Sequence, residues 1–313
     1  MLSRTADNLY WLSRYTERAD FVARTLGAAM RLAALPSSYA GDHNAWESAV
    51  ASAGDLQEFR RLYSAANEET VRDFLAFSPN NPSSIRNCIE LARENARSVR
   101  TAITVEVWET INGAWLELKR SSGSEMSREE FVRFIEWTKG VALGCDGSAY
   151  RTMLRNDAFW FTRLGTAIER ADNTARILDV KYHILLPATE SVGGSLDYFQ
   201  WTTILREVSA LTAYHWIYRQ SVKPRLVADL LILNRQMPRS LANCYELLVR
   251  HLDLIADAYG LRGESQRLAS NMQARLSATT IDDVFGQGLH EFILEFIAEN
   301  NRLGSAIVEQ YLS

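Results

Sequence analysis

Two short charged stretches hold the residues in this chain best suited to chemistry. Glu17-Arg18-Ala19-Asp20 is followed by Arg24, and Glu169-Arg170-Ala171-Asp172 is followed by Arg176 at the same spacing. On a helix, steps of three and seven residues nearly complete whole turns, so Glu17, Asp20 and Arg24 fall within about 60° of one another. Glu169, Asp172 and Arg176 form the same stripe. Such a stripe admits three readings. It can be a row of solvated i,i+4 ion pairs worth a few tenths of a kcal/mol each. It can be a buried network that locks helix packing and binds nothing. It can also line a cleft in which a glutamate acts as general base and arginines grip a carboxylate or phosphate. Magnesium on Glu17/Asp20 and Glu169/Asp172 is a weaker option, because hard cations take carboxylate oxygens but the neighbouring arginines compete for them. No metal and no cofactor is expected.

Tyr10, Arg14 and Phe21 neighbour the first stripe, giving it a mixed aromatic and basic face of the kind enriched in interface anchors. Arg239 stands in a Pro238-Arg239-Ser240 turn and is a further candidate contact for an anionic group. Other chemistry lacks its apparatus. The histidines, His43, His183, His215, His251 and His290, include no pair at helical ligand spacing and read as surface or packing residues. There is no glycine loop followed by a Walker lysine, no GxGxxG and no GxSxG. Cys88 and Cys244 sit inside predicted helices and read as packing residues.

The elements that must position these stripes are helical. Prolines number 6 in 313 residues, and the windows between them are rich in Ala, Leu, Glu and Arg. Leu12, Tyr15, Ala19, Val22 and Leu26 keep a 3-4-3-4 spacing, which Leu164, Ala167, Ala171, Thr174 and Leu178 repeat. Each predicts a helix with one buried seam and the charged stripe roughly opposite. Further helices are expected at about 45–65, 83–120, 128–143, 198–220, 224–233, 238–259, 264–277 and 281–311. Pro82 and Pro238 suit first helical turns, with Asn81 as the N-cap of one.

The stripes also belong to a longer internal match. From Glu17 to Glu169 the offset is 152 residues; Trp46 answers Trp201 and Tyr63 answers Tyr218 at 155. The run Pro82-Ser83-Ser84-Ile85-Arg86-Asn87-Cys88 answers Pro238-Arg239-Ser240-Leu241-Ala242-Asn243-Cys244 at 156. Ordered landmarks with slowly drifting offsets predict a duplication. The expected class is therefore all-α, a helical bundle of two pseudo-symmetric halves, 1–145 and 150–313. Breaks are expected at Pro36–Asp42, Ser121–Ser127 and Pro187–Gly194, with the seam at Gly144–Ser148.

Composition bounds the rest. A chain 47% hydrophobic can bury a large core, and three cysteines without CxxC spacing indicate neither a disulfide framework nor a zinc knuckle. A cytoplasmic location is the simplest expectation. No charge-free apolar run approaches the roughly 18 residues needed to span a bilayer. A net charge of −4 gives no general attraction for nucleic acid or an anionic membrane.

At these residues the chain resembles the bacterial alpha-E domain family, named for its glutamate-arginine motif. The resemblance runs through Ala6-Asp7-Asn8-Leu9-Tyr10-Trp11-Leu12-Ser13-Arg14-Tyr15-Thr16-Glu17-Arg18, then Glu94-Asn95-Ala96-Arg97 and Trp108-Glu109-Thr110-Ile111-Asn112. It continues through Leu164-Gly165-Thr166-Ala167-Ile168-Glu169-Arg170-Ala171-Asp172 and the Pro238-Arg239-Ser240 turn. Ser13 stands where the family usually has glycine, while Gly165 keeps the small residue in the second copy. The resemblance implies an all-helical fold and a genomic setting beside a circularly permuted ATP-grasp ligase and a transglutaminase-like peptidase. The implied role is an accessory or substrate-holding partner of an amide ligase, with a peptide or amine as the substrate. A stand-alone helical enzyme and a purely structural scaffold are the alternatives.

Overall fold

The structure, a computed structural model, describes residues 1–34, 44–53, 56–121, 123–183 and 194–313. The described residues form helices and turns, with no strand. In chain order the helices are α1 (Ser3–Ala33), α2 (Ala45–Ala53), α3 (Leu56–Leu62), α4 (Glu68–Arg72), α5 (Ile85–Ser98), α6 (Val105–Leu118), α7 (Arg128–Thr152) and α8 (Asp157–His183). There follow α9 (Ser195–Glu207), α10 (Leu211–Tyr218), α11 (Pro224–Ile232), α12 (Leu241–Tyr259), α13 (Glu264–Ala278), α14 (Ile281–Gln287) and α15 (Leu289–Ile307). Widened π turns extend α4 over Asp73–Phe77 and α15 over Val308–Leu312.

The two charged stripes lie on α1 and α8, and these are the central pair. α5 and α7 pack on α1, α12 and α15 pack on α8, and α2 touches both. The central helices are therefore surrounded. From Ala19 to Met30 every residue of α1 is buried, including Asp20 and Arg24. That overturns the expectation of one apolar seam with a charged stripe facing away from it. A 3-4-3-4 seam shows which side of a helix must be dry, but it does not show that the other side is wet.

α1 and α8 approach closely because of Gly165. A Cβ there would sit 2.2 Å from the Tyr10 carbonyl oxygen and 3.2 Å from Ser13 Cβ. Ser13 is accommodated because its hydroxyl donates back to the Leu9 carbonyl at 3.2 Å. Among backbone atoms in the core of a helix crossing there is no flexible group to yield.

Several expected boundaries move. The seam at Gly144–Ser148 is absent, because α7 runs unbroken through it to Thr152, and the turn falls at Met153–Asn156. Phe131, Phe134, Ile135, Thr138, Ala142, Cys145 and Ala149 form one continuous buried stripe across the glycines. Packing along that stripe offsets the roughly 1 kcal/mol that each helical glycine costs relative to alanine. The expected 83–120 helix divides at Val99–Thr104, where Val99 and Ile103 tuck into the core between β-branched neighbours. The 198–220 helix divides at Ser209, held at a left-handed φ of 56°. Gly288 divides 281–311 at a φ of 103°. The 45–65 stretch forms α2 and α3, and residues 54–55 between them lie outside the described set, as do the expected break at Pro36–Asp42 and most of that at Pro187–Gly194.

Asn81 is not an N-cap. Ser84 caps α5 by accepting from the Asn87 N–H, and Ser240 caps α12 by accepting from the Asn243 N–H. The prolines thus precede their caps by two residues instead of occupying first turns. Asn81 holds the turn itself, accepting from the Ser83 N–H at 2.9 Å and donating to the Phe74 carbonyl at 3.1 Å. The aligned Tyr63 and Tyr218 each donate to an aspartate, Asp73 and Asp229 respectively.

Substitution of Gly165 tests the crossing. Gly165→Ala is expected to lower stability by about 1–3 kcal/mol through overpacking, read as a fall in the thermal or urea midpoint. An unchanged midpoint would show that the helices part without cost.

Candidate functional site

The crossing places Arg14 and Arg18, one turn apart on α1, opposite Glu169 on α8. Arg14 Nε donates to Glu169 Oε2 at 2.8 Å, and Arg18 donates through Nε to Oε1 at 2.6 Å and through Nη2 to Oε2 at 3.1 Å. The reverse clamp is also made. Arg170 donates through Nε to Glu17 Oε1 at 3.0 Å and through Nη2 to Oε2 at 2.9 Å. Each glutamate is thus held in a two-pronged grip by the arginine of the other motif, the geometry in which guanidinium and carboxylate interact most strongly.

A second guanidinium completes the side around Glu17. Arg239 reaches in from the turn before α12 and donates to Glu17 Oε1 and to Asp20 Oδ2, both at 2.7 Å. Asp20 Oδ2 also accepts from Arg24 Nε at 2.7 Å, and Arg24 Nη1 continues to the Glu207 carbonyl at 2.9 Å and the Ser209 hydroxyl at 2.8 Å. The Ser209 backbone conformation is therefore the one that presents its hydroxyl to Arg24. On the second side Asp172 has a single partner, Arg176 Nε at 2.6 Å, and the Arg176 side chain is 37% exposed.

The electrostatics follow from burial. Removal from water pushes the Glu17 and Glu169 carboxyls up, but Arg170 and Arg239 around Glu17, and Arg18 and Arg14 around Glu169, outweigh it. Both glutamates are held below the ordinary carboxylate range and are ionised throughout the neutral region. Asp172 moves the other way: its burial outweighs the single Arg176 partner and raises it. The Cys88 and Cys244 thiols, fully enclosed beside the two clamps, are pushed up to about 12 by burial, which suits packing and not nucleophilic attack.

A glutamate-arginine motif, present twice in this chain, is the feature by which one family is described. The Alpha-E family model, a predicted alpha-helical domain with a conserved ER motif, matches residues 1–312. The chain belongs to the Alpha-E family. No curated protein and no solved structure shows a match. In this Alpha-E chain the motif letters are partners across the helix crossing, not along one helix.

Of the residues expected from sequence, Glu17, Asp20, Arg24, Arg170 and Arg239 form one ionic cluster across α1, α8 and the α12 turn, and Arg14, Arg18 and Glu169 form a second across α1 and α8. Asp172 and Arg176 stand at its open edge. The aromatic face expected at Tyr10 and Phe21 is closed: Tyr10 is fully buried, and Arg14 lies over the Trp11 ring at 4.6 Å. Phe21 is buried as well, and only its edge reaches a cavity. Asn87 and Asn243 join the turn to the helix, donating to the Asn81 and Arg235 carbonyls. Among the described residues no group of His, Cys, Asp and Glu is arranged to hold a metal, and no helix is long and apolar enough to cross a membrane. His43 and the side chain of His183 lie outside the described residues.

Sequence reasoning missed Glu207. It is buried between α9 and α1, accepts from the Thr25 hydroxyl at 3.0 Å, and borders a cavity of about 40 Å³. Burial pushes its carboxyl up to about 7, against the Thr25 hydrogen bond and the nearby Arg31 and Arg24. No local pattern marks it, since its burial comes from a helix more than 170 residues away in sequence.

Two measurements follow. Removing one partner of a buried, hydrogen-bonded ion cluster leaves uncompensated charge, so Glu169→Gln is expected to cost about 3–5 kcal/mol in denaturant unfolding. The control Glu264→Gln, which breaks an exposed pair with Arg267, is expected to leave stability essentially unchanged. Equal effects would remove the case for a buried clamp. For Glu207 the folded value lies above the ordinary glutamate value of 4.5, so the folded state favours the neutral acid. Its contribution is full below that value and is lost as pH rises through about 7. Glu207→Gln keeps an acceptor for Thr25, and should stabilise the protein at about pH 8 relative to about pH 5 by on the order of 3 kcal/mol. The same shift at both pH values would contradict a raised carboxyl.

Proposed function

We propose that this Alpha-E chain is a non-catalytic partner that holds a peptide or amine substrate for an ATP-grasp amide ligase. The observation that carries the reading is the saturation of the motif carboxylates. Glu17 and Glu169 each accept from two guanidiniums and are held below the ordinary carboxylate range. A carboxylate so stabilised is a poor general base, because its affinity for a proton has been lowered by its partners. The motif is suited to fixing the helix crossing, and the groups left for a substrate are those at its open edge. The ATP-grasp ligase and the transglutaminase-like peptidase enter from the family resemblance alone. The chain itself has no phosphate-cradling glycine loop. The reading also takes 1–145 and 150–313 as duplicated halves, supported by the reciprocal clamp and the matching serine caps of α5 and α12.

One observation favours a second reading, a stand-alone enzyme. Glu207, with its carboxyl near 7, is suited to general acid–base work at neutral pH and adjoins a cavity large enough for a water molecule.

Calorimetry of the isolated chain with magnesium and ATP is expected to show no binding heat. Adding the chain to the cognate ATP-grasp ligase is expected to raise the rate of amide formation with saturation near equimolar ratio. ATP turnover by the chain alone, or a ligase rate indifferent to it, would overturn the partner role. Turnover that disappears in Glu207→Gln would establish the second reading in its place.

A further inference from the structure

The two ionic clusters are not equivalent. On the first side a guanidinium, Arg239, sits between Glu17 and Asp20 at 2.7 Å from each. The aligned turn of the other half carries Ser83, whose short side chain makes no hydrogen bond to Glu169 or Asp172. What lies there instead is a cavity of about 320 Å³, bordered by Ser83, Arg18, Glu169, Asp172, Asn173 and Arg176.

Three features of its wall point to an occupant. Asn173 borders the cavity and is 3% exposed, and its buried Nδ2 has no hydrogen-bond partner among the described residues. Asp172 is mostly buried and has one ionic partner where Asp20 has two. That partner is weakly anchored. Arg24 is held by Asp20, the Glu207 carbonyl and the Ser209 hydroxyl, whereas Arg176 is held by Asp172 alone and is 37% exposed. Arg176 thus has one anchor to give up, and an incoming cation would take its place on Asp172.

We infer that this cavity binds a guanidinium or primary ammonium group supplied from outside the chain, seated against Asp172 and Glu169 as Arg239 is seated against Asp20 and Glu17. The internal arginine is the template for the external one. Charge balance is kept, because the ligand replaces Arg176 and does not add to it. Glu169 is already gripped by Arg14 and Arg18, so Asp172 supplies most of the unmet attraction and Asn173 and the Ser83 hydroxyl supply neutral hydrogen bonds. The inference rests on the substrate-holding reading and gives the substrate class: a cationic amine, free or as the arginine or lysine side chain of a peptide.

Calorimetry with the full chain tests it, using agmatine, an end-blocked Gly-Arg-Gly peptide, its Gly-Gln-Gly counterpart and inorganic phosphate, each to about 10 mM. Saturable binding of agmatine or the arginine peptide, and not of the glutamine peptide, is expected; which of the two binds more tightly separates a free amine from a peptide source. Asp172→Asn should weaken that binding at least about tenfold. Ser83→Arg should abolish it while leaving the melting temperature equal or higher, since it places an internal guanidinium in the cavity. Arg176→Ala should bind as tightly as the wild type or more tightly, because it removes the competing cation. Absence of saturable binding by either guanidinium probe, unaltered binding in Ser83→Arg, or phosphate competing for the site would each overturn the inference. A chain that stimulates its ligase but binds no guanidinium would lose only this inference, and one that binds guanidinium without any effect on the ligase would lose only the partner role.

Discussion

An ionised carboxylate taken out of water needs a cation to meet it, and for Glu17 and Glu169 that cation comes from elsewhere in the fold. Glu17 and Glu169 are among the most enclosed charged groups of the molecule, and each is met by guanidiniums from the other central helix. That requirement fixes the relative rotation and height of α1 and α8, because a bidentate pair tolerates little displacement. Gly165 then permits the approach, and Arg239 ties the α12 turn to the same point. The surrounding helices are arranged around a crossing that the ionic groups have already specified.

Such a cluster is weak support for stability and better support for specificity. Replacing a buried ion pair by apolar side chains of similar volume is often neutral or stabilising, whereas removing one partner is costly. Two clusters in which five arginines close on three carboxylates penalise any packing that leaves one of them out. The function that remains is therefore to be sought where the cluster is incomplete, at Asp172 and Arg176, and not at its saturated centre.

Much of this was legible in the sequence. Alternating helical spacing identified α1 and α8, the repeated Glu-Arg pairs identified the residues that meet, and offset alignment matched Ser83 with Arg239. What was not legible depended on the third dimension. The seam at Gly144–Ser148 looked like a break because glycines punctuate chains, but a buried stripe on both sides of it keeps α7 helical. Asn81 looked like a cap because its side chain is a good one, yet Ser84 stands three residues nearer the helix and takes that role. Tyr10 and Phe21 looked like a docking face because nothing along α1 reveals that α8 and its neighbours surround it. Glu207 gave no signal at all, since its raised carboxyl is produced by enclosure beneath Thr25 and not by any residue next to it in sequence.

The reciprocal clamp also bears on the order in which the chain can be completed during synthesis. Arg170 and Arg239 follow Glu17 by more than 150 and 220 residues, so α1 leaves the ribosome with Glu17 still unmatched and Asp20 met by Arg24 alone. At the common rate of about 5–20 residues per second, that interval lasts on the order of ten seconds. Until those arginines emerge, the middle of α1 is better solvated than enclosed. Glu17 therefore gains its cations only once α8 and the turn before α12 have been made.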